Sequence, residues 1–371
     1  MTTLVGLVWS AWALTSGVTP VLEAEVSGEV KTGFLEKSQA LQLAQEAAMR
    51  KALGGWLPQL CQGAPRDVCE RFHKLALMDL DRVVLFTVEE RSVDAQKASA
   101  RLKARADGER AGALLRAAHW LATPRSAAPL VTEALGTESY RATPSTTACV
   151  ETLQRVLGEL GFSFKTTPVV TDADGASAKV SGEYGPLRPT AAARAAEISH
   201  VVHLKLRRAT SRDVNRGVWA YSADVTVMSA RALAVAGRGR VFRELAGMAD
   251  PVAVPSTRGP ACGALLAPAL VQALVETARQ DDGLPSRFWL VVEDVPAPQR
   301  KELAAGLPKA LPVVGESQLG KAPDGRDAVR VAVRREDADA LTTQLDGVGV
   351  AGVKLAIQEM EGAVIVVGVA Q

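Results

Sequence analysis

What this sequence has little of narrows its chemistry before anything else. Only four of its 371 residues are histidine, and aromatic residues make up 4%. Leu, Val and Ala must therefore fill the cores. The formal net charge is +2, too small to argue for nucleic acid or a strongly anionic surface as a partner. There is no G-x-S-x-G elbow, no P-loop and no H-E-x-x-H helix. "GRGRV" offers Gly237 and Gly239 without a third glycine at dinucleotide spacing, and it reads as a hairpin turn. "TDADGASAKVSGE" holds Asp172 and Asp174 but lacks the further oxygen ligands of a calcium loop. "AVRVAVRR" has none of the aromatic residues on which an RNA-recognition sheet stacks bases. No cofactor, no metal and no nucleic acid are expected.

The four histidines are His73, His119, His200 and His203. "HVVH" places the last two three apart in an expected strand, where alternate side chains face opposite ways, so they cannot easily share a metal. Cys69 and His73 stand four apart on one helix face. A zinc reading of that pair needs two more ligands, and only Cys61 is evident. A deep cleft joining a histidine, an acid and a hydroxyl within bonding distance would overturn a reading without catalysis.

What is present is the composition of a folded protein: 47% hydrophobic and 23% charged residues. At this length about two or three domains are expected. "MTTLVGLVWSAWALTSGVTP" has an apolar run from Leu4 to Leu14 followed by small residues. That is the pattern of a cleaved secretory signal over residues 1–20, although no Lys or Arg precedes the run. It falls short of the ~20 apolar residues of a membrane span, so membrane contact is expected to be peripheral at most. Four cysteines in an exported chain suggest disulfides. Four cysteines permit three pairings. The Gly-Ala-Pro turn in "LCQGAPRDVC" would bring Cys61 to Cys69, Cys149 and Cys262 each stand at or near the start of an expected helix, and 61–69 with 149–262 is the pairing expected. Each bridge would stabilise the fold by ~2–4 kcal/mol if unstrained.

The periodicity divides the chain into blocks at 21–123, 124–283 and 284–371. In the first, "EAEVSGEV" alternates as a strand. "SQALQLAQEAAMRKAL" follows as an Ala-rich helix with Ser38 as N-cap and an end at Gly54-Gly55. Trp56, just after it, is placed to plug the first core. Two strands, "RVVLFTVEERSV" and "KASARLKARAD", and the helix "GERAGALLRAAHWLA" close the block. The second block holds the strand "APLVTEAL", the amphipathic helix "TTACVETLQRVLGELGF" and the strand "FSFKTTPVV". A short helix over "PTAAARAAEIS" and strands at "HVVHLKLRRA", "VWAYSADVTVMSA" and "RVFRELAG" follow. The block closes in the helix "ACGALLAPALVQALVETARQ", where Pro268 is a kink or the true start. After the turn-rich "QDDGLPSR", strand and helix signals alternate in a split β-α-β pattern of the ferredoxin type. The expected class is α+β: three small domains, each a mainly antiparallel or mixed sheet with helices packed on it.

On "EAEVSGEV", "SQALQLAQEAAMRKAL", "RVVLFTVEERS" and "ARLKARADGERAGALL", the first block resembles the N-terminal domain of flagellar assembly protein T and of exported Lpp20-type lipoproteins. On "TLQRVLGELGFSF", "TAAARAAEISHVVHLKLRR", "YSADVTVMSA" and the helix after Cys262, the second resembles the α/β domain of the TolB N-terminus and of LpoB- and CsgG-type envelope proteins. The chain departs from flagellar assembly protein T at its end, which is α/β here and a small all-β domain there. The resemblance implies a periplasmic, envelope-associated protein without catalysis that contacts other proteins.

One basic stretch, "LKLRRATSRDVNRGVW", gathers Lys205, Arg207, Arg208, Arg212 and Arg216, with Trp219 and Tyr221 beside it. It is the candidate interaction patch, for an acidic protein surface or an anionic envelope group; otherwise it is a solvated loop. The function expected is that of a non-enzymatic periplasmic scaffold or accessory subunit of a cell-envelope assembly, including a motility-associated one. Its partners would be other envelope proteins or further copies of the chain in an oligomer or ring. The alternative is a ligand-binding protein or a regulator of an envelope enzyme, acting through a pocket in the second block.

Overall fold

A computed structural model describes residues 22–33, 36–138, 140, 146–164, 190, 193–208, 218–246, 249–293, 295–322, 325–361 and 363–369. The expected signal segment, Arg212, Arg216, Asp172 and Asp174 lie outside them. The chain forms two compact units, residues 1–115 and 116–371, and the fold class is α+β, with sheets covered by helices.

The first unit pairs strand β1 (Glu23–Lys31) and strand β2 (Val84–Val93) antiparallel on either side of β3 (Lys97–Ala106). Helix α1 (Lys37–Leu60) lies on this sheet, and α2 (Arg66–Met78) and the single turn α3 (Leu80–Val83) connect it to β2. Ala40, Ala44, Ala48 and Ala52 form the buried stripe of α1. Their size has a backbone reason. A methyl group added to Gly28 of β1 would overlap the Ala44 carbonyl and the Ala48 nitrogen, so helix and strand touch main chain to main chain. The helix is capped at Glu36, whose N–H donates to Gln39 Oε1 at 3.4 Å, rather than at Ser38. It also continues through Gly54-Gly55 to Leu60. Burial of Trp56, 5% exposed, offsets the roughly 0.5–1 kcal/mol that each helical glycine costs.

Helix α4 (Gly108–Ala122) leads into the second unit, which contains two sheets. The first has the order β5-β4-β6-β7-β8, with β4 at Arg125–Leu135, β5 at Phe162–Phe164, β6 at His200–Arg208, β7 at Val218–Ser229 and β8 at Ala234–Ala246. β5, β4 and β6 run parallel, while β7 and β8 add antiparallel. One face carries α5 (Thr146–Glu159) and α6 (Pro255–Gln280). Gly237 and Gly239 fall inside β8, not in a turn, because α6 lies directly above them. A Cβ on either would overlap the Ala273 or Ala269 carbonyl. By length and composition α6 with the turn after it could cross a membrane, but here its apolar side is buried against β7 and β8.

The second sheet has the order β10-β11-β9-β14-β13-β12: β9 (Ser286–Val292), β10 (Val314–Lys321), β11 (Asp327–Val333), β12 (Gly349–Val350), β13 (Val353–Glu361) and β14 (Val364–Val369). Helices α7 (Ala297–Ala310) and α8 (Ala338–Leu345) bury Leu303, Leu307, Leu341 and Leu345 on one face with Phe288, Leu290, Val329 and Ile365. Strand β11 separates β9 from β10; β9 and β14 separate β11 from β13. On the reverse face Trp289, Val291, Ala328 and Val366 enclose Leu233 from the β7–β8 turn. Leu233 has φ 49°, the left-handed region. That costs about 1–2 kcal/mol for a residue with a Cβ, less than the roughly 1.5–3 kcal/mol that burying a leucine contributes.

Three arginines join the two sheets. Arg194 Nη1 donates to the carbonyls of Arg231 (3.1 Å) and Arg287 (2.5 Å), and its guanidinium lies 4.0 Å over the Phe288 ring. Arg231 donates to the carbonyls of Leu284 (2.7 Å) and Asp281 (2.8 Å), and Arg287 donates to that of Ala232 (3.0 Å).

Helix α6 starts at Pro255 and passes through Pro268. Pro268 has no N–H for the Ala264 carbonyl four residues back. Arg243 of β8 donates Nη1 to that carbonyl at 3.1 Å. The same device recurs in α7, where Pro308 frees the Ala304 carbonyl and the Ser317 hydroxyl of β10 donates to it. Arg243→Ala is therefore expected to cost about 1 kcal/mol by removing the donor to a half-buried carbonyl. In a Pro268→Ala background, which restores the helix's own N–H donor, the same change should cost markedly less. Urea unfolding of the four proteins in this cycle measures the difference.

Candidate functional site

The cysteines are bonded as Cys61–Cys69 and Cys149–Cys262. The first bridge holds the turn between α1 and α2; the second ties α5 to α6 across 113 residues of sequence. In the chain-entropy account the long loop contributes about 4–5 kcal/mol and the short one about 2–3. Cys61 and Cys69 bond each other and so are not zinc ligands. Among the described residues, no three His, Cys, Asp or Glu side chains are placed to share a metal ion. Both bridges fit an oxidising, exported compartment.

Alternation along β6 divides the basic patch between two faces of the sheet. Lys205 and Arg207 point to the face without α5 and α6, and both lie against Tyr140: Lys205 Nζ is 5.5 Å and the Arg207 guanidinium 4.6 Å from the ring centre. Arg207 also donates to the Gly136 carbonyl and, at 3.3 Å, to the Tyr140 hydroxyl. Arg208 points to the helix-covered face, where it pairs with Asp250 and lies 5.8 Å from the Trp219 ring. Tyr221 is 2% exposed and gives its hydroxyl hydrogen to Asp250, so it belongs to the core. Trp219 is half-buried.

Arg208, Tyr221 and Asp250 line a shallow cleft of about 270 Å³ at the carboxyl ends of β4 and β6, together with Glu133, Leu206 and Arg258. In α/β sheets this end of the parallel strands is where ligands enter. Three of its polar side chains, Asp250, Arg208 and Tyr221, are engaged with one another. Asp250 accepts from Tyr221, from Arg208 and from the Val252 N–H at 2.9 Å. Burial pushes the Asp250 carboxyl up, and the bonds from Tyr221 and Arg208 outweigh it, holding it below the ordinary carboxylate value. Arg258 donates Nε to the Val252 carbonyl at 2.6 Å. The cleft thus anchors the start of α6. No local sequence signal marked Asp250, because its side-chain partners Arg208 and Tyr221 are supplied by distant strands.

A histidine, an acid and a hydroxyl do converge elsewhere. His200 Nδ1 is 2.9 Å from Ser199 Oγ, and its Nε2 is 3.5 Å from Asp281 Oδ2. The trio is sealed rather than set in a cleft: His200 is 2% and Asp281 3% exposed. The Ser199 hydroxyl is also committed, donating to the Ser126 carbonyl at 2.7 Å and accepting from the Ser126 N–H at 2.9 Å.

Sheet edges differ in how they are protected. On β8, the Arg238 and Arg240 N–H groups donate to Glu276 (2.7 Å) and Gln272 (3.2 Å) of α6. On β2, a bulge between Val88 and Glu90 and the charges Glu89, Glu90 and Arg91 interrupt one half. The other half, Val84–Val88, carries Leu85 and Phe86, each 38% exposed. The outer face of the same sheet sets the Arg105 and Lys103 positions opposite Glu23 and Glu25, and Lys97 pairs with Glu29 at 3.3 Å. Its cations are therefore offset by neighbours.

His203 is buried on β6 with Nε2 2.9 Å from Thr132 Oγ1, and burial, with a smaller push from Lys205, brings its pKa down to about 3. The unfolded chain takes up this proton near 6.5 while the folded one does not. Stability from this site is therefore complete above about pH 6.5 and is lost as pH falls from there toward 3. Between pH 7.5 and 5.5 the parent should lose about 1.4 kcal/mol more than His203→Gln, measured by urea unfolding.

Compared with known proteins, the chain matches no family model and no curated protein sequence.

Proposed function

We propose that this chain is a non-enzymatic protein exported to the periplasm, where it serves as a scaffold or accessory subunit of a cell-envelope assembly. Its partners on this reading are other envelope proteins or further copies of itself. The resemblance of the first block to flagellar assembly protein T makes a motility-associated assembly one candidate. The observation that carries the reading is the unprotected half of the β2 edge. Where α6 side chains cap the edge of β8, Leu85–Val88 runs along the edge of its sheet with Leu85 and Phe86 exposed, Val84 before it being buried. Such an edge is a template on which a partner's strand can pair. The two disulfides support an exported location, and the small net charge supports protein partners over nucleic acid.

The cleft beside Asp250 favours a second reading, a ligand-binding regulator of an envelope enzyme. Its Asp250, Arg208 and Tyr221 already satisfy one another, which weighs against it. Affinity capture from cell envelopes separates the two. The parent chain should retain a defined protein partner, and Leu85→Lys/Phe86→Lys, with circular dichroism unchanged, should lose it. Recovery of a small molecule alone, or equal capture by the variant, would contradict the scaffold reading.

A further inference from the structure

The sealed histidine at the start of β6 sits where the two sheets of the second unit meet. Six elements surround it, among them β5, whose Phe162 ring centre is 6.4 Å from that of the imidazole. Asp281 comes from the turn that leaves α6, with Oδ2 3.5 Å from His200 Nε2. Arg125 of β4 places Nη1 3.6 Å from the same Asp281 oxygen. Arg231, from the β7–β8 turn, donates to the Asp281 carbonyl at 2.8 Å. Trp120, at the end of α4, meets the imidazole edge-on with ring centres 5.2 Å apart. Arg335, just before α8, pairs with Asp282 at 2.5 Å. The cations of this junction, Arg125, Arg231 and Arg335, outnumber its acids, Asp281 and Asp282. A proton on His200 adds one more cation to a buried site whose nearest carboxylate is already shared with Arg125.

We propose that His200 is an acid-operated latch: gaining a proton drives its ring out of this site and loosens the Asp281–Ser286 turn that carries the chain from the five-stranded to the six-stranded sheet. Burial is the main force keeping the closed ring neutral; Asp281 opposes it, and Arg125 and Arg231 reinforce it. Once exposed, the ring binds its proton near pH 6.5. Each pH unit below that favours the open form by roughly tenfold while the closed ring stays neutral. Arg231 reaches the Asp281 and Leu284 carbonyls within this turn, and Arg194 reaches that of Arg287 just beyond it, so its loosening weakens the joint between the sheets.

Hydrogen exchange of the full chain with both disulfides intact, corrected for the intrinsic pH dependence of exchange, tests this. Protection of amides 281–286 should fall about tenfold between pH 7.5 and 5.5 in the parent and stay level in His200→Gln. Amides 131–133, beside His203, are followed separately so that the second buried histidine is not mistaken for the first. Should His200→Gln not fold, the ring nitrogen signals of the parent carry the test: protonation of His200 must coincide with loss of protection at 281–286. Unchanged protection across this range, an equal fall in His200→Gln, or protonation of His200 with the turn still protected would each overturn the latch.

Discussion

Main-chain contact between helix and strand is the constraint on which both units depend. Helix α1 lies close enough to β1 that Gly28 has no room for a methyl group beside Ala44 and Ala48. Helix α6 does the same over Gly237 and Gly239. Contact this close leaves little space for side chains and explains the alanine stripes without a chemical role. It also lets backbone groups on a helix be used by the sheet. The carbonyls freed by Pro268 and Pro308 take donors from β8 and β10. A proline that would otherwise break a helix here adds a tie to the strand below it.

The polar groups follow the same logic. Arg194, Arg231 and Arg287 spend their donors on carbonyls across the junction of the two sheets. Asp250 gathers a tyrosine, an arginine and a backbone N–H to fix the start of α6. In the first unit Asp79, 4% exposed, receives Arg110 Nε at 2.5 Å. Burial raises the pKa of that carboxyl despite its arginine partner, which marks the pair as a packed connection. In each of these places, groups that elsewhere perform chemistry hold elements together.

Much of the fold was legible in residue patterns. Alternation in "KASARLKARA" and in "EAEVSGEV" placed β3 and β1, and the stripe of Val150, Leu153, Val156, Leu157 and Leu160 placed α5, because one-sided burial imposes the period directly. The Cys61–Cys69 pair was legible from a short turn, and the Cys149–Cys262 pair from two expected helix starts. Glycine was misleading because one residue type serves two purposes. Gly54-Gly55 reads as a helix end and Gly237-x-Gly239 as a turn, yet the first pair lies inside α1 and the second inside β8. For Gly237 and Gly239 the position of α6's backbone decides, whereas Gly54 and Gly55 have open space beside them and are simply carried inside the helix. Of the basic patch, Lys205 and Arg207 fall on one face of β6 and Arg208 on the other, while Arg212 and Arg216 lie outside the described residues. Asp281 sat unnoticed in "QDDGLPSR", because the depth of its burial comes from Arg125, His200 and Arg231, far away in sequence.

If sheets here hold helices through carbonyls that proline sets free, the hydroxyl of Ser317 should matter only while Pro308 is present. The direct measurement is the coupling between Ser317→Ala and Pro308→Ala in urea unfolding. The account predicts that Ser317→Ala costs about 1–2 kcal/mol in the parent and close to nothing once Pro308→Ala restores the helix's own donor. An equal cost in both backgrounds would contradict it.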